Sequence, residues 1–391
     1  MPDRPEFVVT PYEVKGHIDY AQLRAQFGTQ ELTDELLARL RRHAGGALHP
    51  LLERGVYLSH RDLGWVLDEY EHHRPFFLYS GRGPSGPLHT SHLVPFDLCA
   101  WLQRTFDVPM YIQITDDEKF WFRPNLTRAE TRRWGMENLY DLLAVGFDPK
   151  KTHVFFDTRS IAALYPLAAD AAKRINFSTA KAVFGFKPQT NIGLIFYTAL
   201  QTAPSFYPSW VAGRPVPCLI PCGIDQDPHF RVTRDIAEGL GYPKPALLHS
   251  QMLPGLLGVD RVMSTSGDAA DNALFLNDPP REVARKIRKA FTGGRTSVEE
   301  QRRLGANPEI CSVWAAWRSK FEPDAAAFAQ RTADCRSGAL LCGDCKDQLV
   351  ERVQTFLGEH QARREQVKEW AESVIIERPP ADAAGATAPP P

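Results

Sequence analysis

The chain alternates short, mostly apolar runs with longer segments of helical periodicity between residue 76 and about residue 250. The apolar runs predict strands at 76–79, 110–114, 153–156, 218–220 and 246–248. Segments whose apolar residues recur every three or four positions predict helices at 89–106, 128–145, 161–174 and 227–239. This alternation is typical of an α/β fold, so we assign a Rossmann-like parallel sheet to residues 76–268.

Amphipathic helices without intervening strands follow from about residue 269. They are predicted at 280–291, 297–304, 345–361 and 366–374. The pattern therefore indicates a second, α-helical domain at 269–378, followed by a low-complexity tail at 379–391 that should be disordered.

Residues 1–75 predict an appended N-terminal helical region, with helices at 34–42 and 62–72. Thr33 is a plausible N-cap for the first of these helices. A connecting insertion at 150–210 lies within the sheet domain, and its helices are expected to close the substrate pocket.

Composition narrows the class of protein. The formal net charge is −1, so any RNA contact must come from a local basic patch. The N-terminus has no apolar signal region and no run of roughly 18 apolar residues occurs, which predicts a cytoplasmic protein without a membrane span. The seven cysteines are an odd number in a long chain, which argues against a disulfide framework.

A loop rich in glycine and proline, residues 81–87, follows the first predicted strand and leads to His89 and His92. Parallel α/β sheets present nucleotide phosphates to a helix N-terminus through such a strand, loop and helix. Gly81 and Gly83 allow the backbone to approach a ligand closely. Because the two histidines are three residues apart on the first helical turn, both can face the phosphates.

Four further motifs accompany this loop: YIQITDDEK at 111–119, CGIDQDPHFRVTRD at 222–235, GYPKPALLH at 241–249 and VMSTS at 262–266. With residues 76–93 they resemble the tryptophanyl-tRNA synthetases of the archaeal and eukaryotic type, from about Asp19 to about Glu377. The resemblance implies a catalytic Rossmann-like domain followed by an α-helical anticodon-binding domain. It also implies a homodimeric ligase that uses ATP and Mg²⁺, with L-tryptophan and tRNA(Trp) as its other substrates.

The resemblance assigns two sets of residues to the ATP side of the site. The catalytic set is His89, His92, Arg82, Lys119, Arg261 and Ser264, and the ATP-binding set is Gly81, Gly83, Ser91, Asp225 and Met263. The cationic and imidazole side chains would stabilise the phosphates, and Asp225 would bind a ribose hydroxyl.

Tyr79 and Gln113 align with residues that hydrogen-bond the indole N–H of tryptophan in the family. Indole is only a donor, so a buried pair of acceptors selects it, and an unmet partner penalises phenylalanine. Glu118, Gln201 and Gln226 match the groups that bind the α-amino group of the substrate.

Two positions depart from the family pattern. Ser91 replaces the glycine of the H-x-G-H motif, where glycine lets adenine lie against the helix turn. Val262 replaces the lysine of the K-M-S-x-S loop, which reaches the phosphates in the transition state. Losing one such contact typically costs on the order of 3–4 kcal/mol of barrier. The neighbouring Arg261 could substitute for that lysine.

These departures leave alternatives to a working synthetase. The chain could be a paralogue that forms tryptophanyl-adenylate for a biosynthetic or inhibitor-resistance role. It could also be a non-catalytic sensor that binds tryptophan or tRNA.

Four cysteines lie in the predicted helical domain with the spacing C-x23-C-x6-C-x2-C: Cys311, Cys335, Cys342 and Cys345. Four thiolates at such spacing can hold zinc or an iron–sulfur cluster. The pattern resembles one that binds a [4Fe-4S] cluster in some bacterial tryptophanyl-tRNA synthetases, so we rank a cluster above zinc. Basic residues of the same domain are candidate partners for tRNA phosphates, namely Arg281, Arg285, Lys286, Arg288, Lys289, Arg363 and Arg364.

Overall fold

A seven-stranded sheet forms the centre of the computed structural model, which describes residues 8–9, 14–15, 18–263 and 269–383. The strands are β1 (Val8–Val9), β2 (Val14–Lys15), β3 (Gln30–Glu31), β4 (Tyr57–Arg61), β5 (Phe77–Arg82), β6 (Met110–Ile114), β7 (Thr152–Phe156), β8 (Cys218–Gly223), β9 (Ala246–Ser250), β10 (Pro254–Gly255) and β11 (Gly258–Val262). The central sheet has the order β3-β4-β9-β8-β5-β6-β7, and β1–β2 and β10–β11 are separate antiparallel pairs.

The five predicted strands are all present, as β5 to β9, and neighbouring strands among them run parallel. Their residues are almost all buried, as expected for a parallel sheet covered by helices on both faces. Gly81 of β5 pairs with Gln113 of β6, which brings the glycine-rich loop beside the second motif. The Rossmann-like α/β fold class is confirmed.

The N-terminal region adds to the central sheet two strands that the sequence did not predict. Strand β4 runs antiparallel to β9, and β3 runs antiparallel to β4. Ser59 and His60 of β4 are almost fully buried, and the Ser59 hydroxyl lies 3.1 Å from Nδ1 of His249 on β9. Buried polar residues with internal partners interrupted the apolar pattern, so the predicted helical region at 1–75 also contributes strands that the sequence did not indicate.

The helices surround the sheet and continue beyond it. They are α1 (Tyr20–Phe27), α2 (Asp34–His43), α3 (Pro50–Glu53), α4 (Leu63–Glu71), α5 (Val94–Phe106), α6 (Asp116–Phe122), α7 (Arg128–Leu143), α8 (Asp157–Ala172), α9 (Phe177–Phe184), α10 (Ile192–Leu200), α11 (Ala203–Ala212), α12 (Asp227–Ala237), α13 (Ala269–Asn272), α14 (Pro280–Lys289), α15 (Val298–Leu304), α16 (Ser312–Ala316), α17 (Ala325–Ser337) and α18 (Cys342–Val367). The predicted N-cap is present, because the Thr33 hydroxyl accepts a hydrogen bond from the Leu36 N–H.

Several helices differ from the sequence prediction, and in three of them the physical reason is clear. Helix α6, which the sequence analysis did not predict, begins with three acidic residues, and these suit a helix N-terminus. Helix α17 buries none of its residues and so carries no apolar periodicity to detect. Helix α18 continues through the break expected at 362–365, because Arg363 and Arg364 anchor it to the end of α7. A short 3-10 helix, Ala371–Val374, follows α18.

The C-terminal helical domain packs directly against the sheet and the N-terminal region. One apolar core extends without a break from Leu32 to Val374. Arg54, after α3, donates hydrogen bonds to the carbonyls of Trp317, Arg318, Glu322 and Asp324. In return, Arg318 donates to the carbonyl of Arg54, over 2.6 Å.

Three sequence expectations, on the C-terminal tail, the cellular location and the domain boundaries, stay predictions in whole or in part. Residues 379–383 are described, and the remainder of the predicted disordered tail lies outside the described residues. No helix within the described ranges is long and apolar enough to cross a membrane, and a cytoplasmic location stays a prediction. The proposed domain boundaries likewise stay predictions.

Candidate active site

A cavity of about 440 Å³ opens where parallel strands of the central sheet end. Its floor includes Arg82 at the end of β5, Gln113 on β6, Gly223 at the end of β8 and Ser250 at the end of β9. Tyr197 of α10 and Val262 at the end of β11 also line it. Open α/β sheets bind their ligands at this carboxyl edge, so the cavity is the candidate active site.

All but two of the side chains predicted for the ATP and tryptophan sites line this cavity. They are Tyr79, Gly81, Arg82, Gly83, His89, Ser91, His92, Gln113, Glu118, Lys119, Gln201, Asp225, Gln226 and Met263. Arg261 is exposed on β11 and does not line the cavity, and Ser264 lies outside the described residues. The fold thus brings the predicted set together, while the role of each residue stays a prediction.

His89 and His92 form a stacked pair at the start of a short 3-10 helix that precedes α5. Their ring centroids are 3.5 Å apart, and the main-chain N–H of His89 donates to Nδ1 of His92 over 3.1 Å. The hydroxyl of Ser91 lies 2.7 Å from Nδ1 of His89, so the unexpected serine contacts a histidine. Burial, reinforced by Arg82, lowers the pKa of His89 to about 3, which keeps this ring neutral at pH 7.

Two cations lie at the same side of the cavity. Burial lowers the pKa of Arg82 to about 10, so its guanidinium remains charged at neutral pH. Its Nε is buried without a hydrogen-bond partner in the protein, which suits an anionic ligand. A Cβ on Gly83 would lie 2.0 Å from Cε of Lys119, so only glycine leaves room for that lysine.

The end of the hairpin β10–β11 reaches the cavity beside the segment that carries the histidines. Val262 and Met263 line the cavity at the end of β11, and the Thr90 hydroxyl lies 3.8 Å from the sulfur of Met263. Asn272 fixes the hairpin, because its amide donates to the carbonyl of Val262 and accepts from the N–H of Leu257. Val262 therefore places an apolar side chain at the cavity wall, at the position where the family pattern has lysine.

Tyr79 and Gln113 form a buried pair at the inner end of the cavity. The Tyr79 hydroxyl donates to Oε1 of Gln113 over 2.5 Å, and both residues are at most 2% exposed. The Gln113 amino group donates to both carboxyl oxygens of Asp157, over 2.9 and 3.0 Å. The pair therefore lies deep in the protein beside a carboxyl group that the sequence interpretation left out.

Glu118, Gln201 and Gln226 surround the space between the two ends of the cavity. Glu118 is 5% exposed and accepts hydrogen bonds from Lys119 and from the Thr115 hydroxyl. Oε1 of Gln201 lies 2.8 Å from Nδ1 of His229, and Gln226 donates to Asp225 over 2.6 Å. Burial raises the pKa of Asp225, which contacts Gln226 at the mouth of the cavity.

Sequence reasoning missed three residues that support the cavity. Asp157 is fully buried directly after β7, and Asp117 of α6 is only 8% exposed. His229 holds Gln201 from α12. Each residue carried a usable signal, because Asp157 follows a predicted strand at the same sheet edge and the other two lie within the quoted motifs.

The four clustered cysteines line one small cavity in the helical domain. The indole of Trp317 and the guanidinium of Arg331 lie beside Cys345 in this cavity. Within the part of the chain that the structure describes, however, no group of three or more His, Cys, Asp or Glu residues is arranged to hold a metal ion. The geometry therefore gives no support to an iron–sulfur cluster or to zinc.

Several of the predicted tRNA-binding cations have structural partners instead. Lys286 is 3% exposed and donates to Asp278 and to the carbonyl of Ala273. Arg285 pairs with Asp271 and Glu282. Arg364 pairs with Asp141 on α7, so these side chains stabilise the domain.

The fold and this cavity define the class of the protein. The family model for tRNA synthetases class I (W and Y) matches residues 71–358, and the chain belongs to this family. Within the family, the similarity is to tryptophan–tRNA ligases. The chain is 47% identical to the tryptophan–tRNA ligase of Pyrobaculum calidifontis over 93% of its own length and 96% of the relative. It is 49% identical to that of Pyrococcus furiosus, over 94% of this chain and 93% of the relative.

Solved structures agree with this assignment. The tryptophanyl-tRNA synthetase of Plasmodium falciparum superposes with a TM-score of 0.86 at 34% identity, covering 93% of this chain and 98% of that one. The enzyme from Giardia lamblia gives a TM-score of 0.85 at 34% identity, over 93% and 96% of the two chains. The expected family and the helical C-terminal domain are thus confirmed.

Proposed function

We propose that this chain is a tryptophan–tRNA ligase that activates L-tryptophan with ATP and transfers it to tRNA(Trp). The observation that carries the proposal is the buried Tyr79–Gln113 pair at the inner end of the cavity. The Tyr79 hydroxyl donates its only proton to Gln113, so lone pairs on the Tyr79 and Gln113 oxygens remain to accept an indole N–H. A ligand without that donor would leave buried acceptors unpaired.

The first step joins tryptophan to AMP. The carboxylate of tryptophan attacks the α-phosphorus of ATP, the bond to the bridging oxygen breaks, and pyrophosphate leaves with the electron pair. The ATP substrate enters as its Mg²⁺ complex, in which the ion offsets phosphate charge. Arg82 and Lys119 add positive charge from the protein, and neutral His89 and His92 offer hydrogen bonds near the helix start.

The second step transfers the aminoacyl group to the terminal ribose of tRNA and releases AMP. No side chain needs to act as a covalent nucleophile in either step. The protein aligns the reactants and stabilises charge that moves onto the leaving group. Glu118, with Gln201 and Gln226, is placed to hold the ammonium group of tryptophan.

Tryptophan-dependent exchange of radiolabelled pyrophosphate into ATP tests activation, and charging of tRNA(Trp) then tests transfer. We expect both activities with tryptophan and neither with phenylalanine. The proposal fails if the protein shows no affinity for tryptophan in the presence of ATP while another amino acid binds well. A matched control pairs Tyr79→Phe, which removes a hydroxyl at the pocket, with Tyr70→Phe on α4, outside the cavity.

Two alternatives remain as outcomes of the same assays. Val262 lines the cavity where the family pattern has lysine, and the exposed Arg261 does not line the cavity. The part of the cavity proposed for the phosphates therefore lacks the expected cation. This favours a paralogue with a biosynthetic or inhibitor-resistance role if exchange occurs without charging. It favours a sensor if tryptophan or tRNA binds without exchange.

An apolar surface on the connecting helices supports a homodimer. Ile192 on α10 is 83% exposed, and Tyr165 of α8 and Phe177 of α9 are each more than half exposed. Ile161 lies one turn before Tyr165 on the same helix. Exposed apolar side chains grouped on neighbouring helices are typical of protein interfaces. We take a second copy of this chain as their partner, because family resemblance implies a dimer.

The tRNA-binding role of the helical domain rests on its remaining exposed cations. Arg288 and Lys289 on α14 have side chains that are 66% and 58% exposed. Weak ion pairs at 3.4 Å hold them, so a phosphate can compete for either side chain.

A metal centre at the four cysteines stays a hypothesis from the sequence. It rests on the spacing of the cysteines, and the structure adds only that all four line one small cavity. Iron, sulfide and zinc analysis of anaerobically purified protein tests it, with Cys342→Ser and Cys99→Ser as test and control. Loss of stoichiometric metal in the first variant alone would support the hypothesis, and metal-free wild-type protein would overturn it.

A further inference from the structure

Two buried carboxyl groups lie behind the Tyr79–Gln113 pair. Asp157 is fully buried at the start of α8, and Asp117 on α6 is 8% exposed. Their side chains share a hydrogen bond, and burial together with the neighbouring carboxyl raises the pKa of both. Two carboxylates in contact away from water cannot both be ionised, so the pair holds one proton between its members.

The position of that proton decides what Gln113 can do. When the proton lies between the two aspartates, both carboxyl oxygens of Asp157 can accept hydrogen bonds from Gln113. In the structure, both accept from Nε2 of Gln113. Oε1 of Gln113 must then face the Tyr79 hydroxyl. The reverse orientation would place the amide carbonyl against carboxyl oxygens and turn a donor toward the cavity, where an indole N–H could not pair with it.

We propose that Asp157 is a positioning residue that sets amino-acid specificity by fixing the orientation of the Gln113 amide. The inference rests on the proposed tryptophan site. The ligand class it selects is an aromatic ring system with an N–H donor. Asp157 does not touch the ligand, because Gln113 and Tyr79 lie between it and the cavity.

Asp117 connects the carboxyl pair to helix α6. Its carboxyl accepts the N–H of Glu118 over 2.6 Å, which ties the pair to the helix that carries the proposed ammonium-binding carboxylate. Asp116, the neighbouring buried aspartate, bonds instead to the N–H and hydroxyl of Thr158. The chain therefore offers three buried aspartates at one sheet edge, of which Asp157 is the one that accepts hydrogen bonds from Gln113.

The test compares affinities for L-tryptophan and for its benzothiophene analogue, in which sulfur replaces the N–H. The full-length wild-type protein should bind tryptophan about 10- to 100-fold more tightly than the analogue. In Asp157→Ala the amide is free to turn, and this ratio should fall to below about 3-fold, mainly through weaker tryptophan binding. Asp157→Asn should keep most of the ratio, since its amide can donate to Asp117 and accept from Gln113.

Asp116→Ala is the matched control, because it removes a buried aspartate at the same edge and should leave the ratio unchanged. If circular dichroism shows that Asp157→Ala does not fold, Asp157→Leu replaces it. An unchanged ratio in the alanine or leucine variant would overturn the inference, as would an equal loss in Asp157→Asn. Absence of tryptophan binding in the wild-type protein would instead refute the proposed function.

Discussion

The main-chain N–H of His89 donates a hydrogen bond to Nδ1 of His92 over 3.1 Å. A ring nitrogen that accepts carries no proton, so a neutral His92 holds its proton on Nε2. Burial, with the nearby charge of Arg82 and the adjacent ring of His89, lowers the pKa of His92 well below its ordinary value. The ring is therefore a neutral N–H donor at pH 7, which suits a phosphate oxygen without adding a charge.

His92→Asn should lower the rate of pyrophosphate exchange about 10²- to 10³-fold, because asparagine can still accept from the His89 N–H but lacks the outer donor. The dissociation constant for tryptophan should stay the same. His92→Gln, whose amino group lies near the position of Nε2, should recover part of the rate. Equal rates for the asparagine variant and the wild-type protein would show that His92 only shapes the loop.

Arg82→Gln should raise the KM for ATP and lower kcat for exchange by about 10²-fold or more, since it removes a buried cation without a protein partner at Nε. Tryptophan binding without ATP should change little. The control is Arg214→Gln, because Arg214 is exposed after α11. A similar loss in both variants would point to a general effect of charge.

Val262→Lys should speed up exchange by at least about 10-fold, because it places a cation at the cavity wall where the family pattern has lysine. Arg261→Gln should change the rate by less than about 3-fold, since the exposed Arg261 does not line the cavity. Single-turnover adenylate formation measures both effects. A large loss in Arg261→Gln would show that this arginine replaces the lysine after a movement of the hairpin.

Ile192→Lys should convert a dimer to a monomer, because it places a charge on the most exposed of the large apolar side chains. Light scattering coupled to gel filtration measures the mass. Phe291→Lys is the control, since Phe291 is a 45% exposed apolar residue in the helical domain. A wild-type monomer, or dissociation by the control variant alone, would contradict the proposed interface.

Replacing His49 by asparagine should change how stability depends on pH. Burial lowers the pKa of His49 from 6.5 to about 4, so the unfolded chain takes up a proton below pH 6.5 while the folded protein does not. Folding therefore loses stability as the pH falls through this window, by up to about 1 kcal/mol per pH unit. The asparagine side chain of the His49→Asn variant retains an acceptor for the Leu51 N–H but does not titrate.

Urea unfolding of the two proteins at pH 7, 6, 5 and 4.5 measures this difference. The free energy of unfolding of the wild-type protein should fall more steeply toward low pH than that of His49→Asn. Parallel curves would show that the folded protein protonates His49 as readily as the unfolded chain does.

The sequence predicted the central part of the fold because parallel strands are nearly continuous apolar runs. Strands β5 to β9 were found for that reason. Strand β4 was missed because Ser59 and His60 are buried with partners that only the folded chain supplies. A polar residue that will be paired in the core looks in the sequence like a residue meant for solvent.

The site was predictable as far as its residues carried motifs. Tyr79, Gln113 and Glu118 lie in quoted motifs and line the cavity. The contribution of Asp157 depends on a hydrogen bond between elements 44 residues apart, which no local spacing reveals. The four cysteines show the opposite case, since their spacing suggested a metal centre for which the described residues offer no suitable geometry.

Arg54 joins the N-terminal region to the helical domain through one guanidinium that serves four main-chain carbonyls. Rotation of one of these parts against the other would break several of those bonds at once and leave a half-buried charge uncompensated. The contact at Arg54 thus connects the N-terminal region rigidly to the helical domain. A conformational step that keeps these bonds must therefore leave the N-terminal region and the helical domain fixed relative to each other.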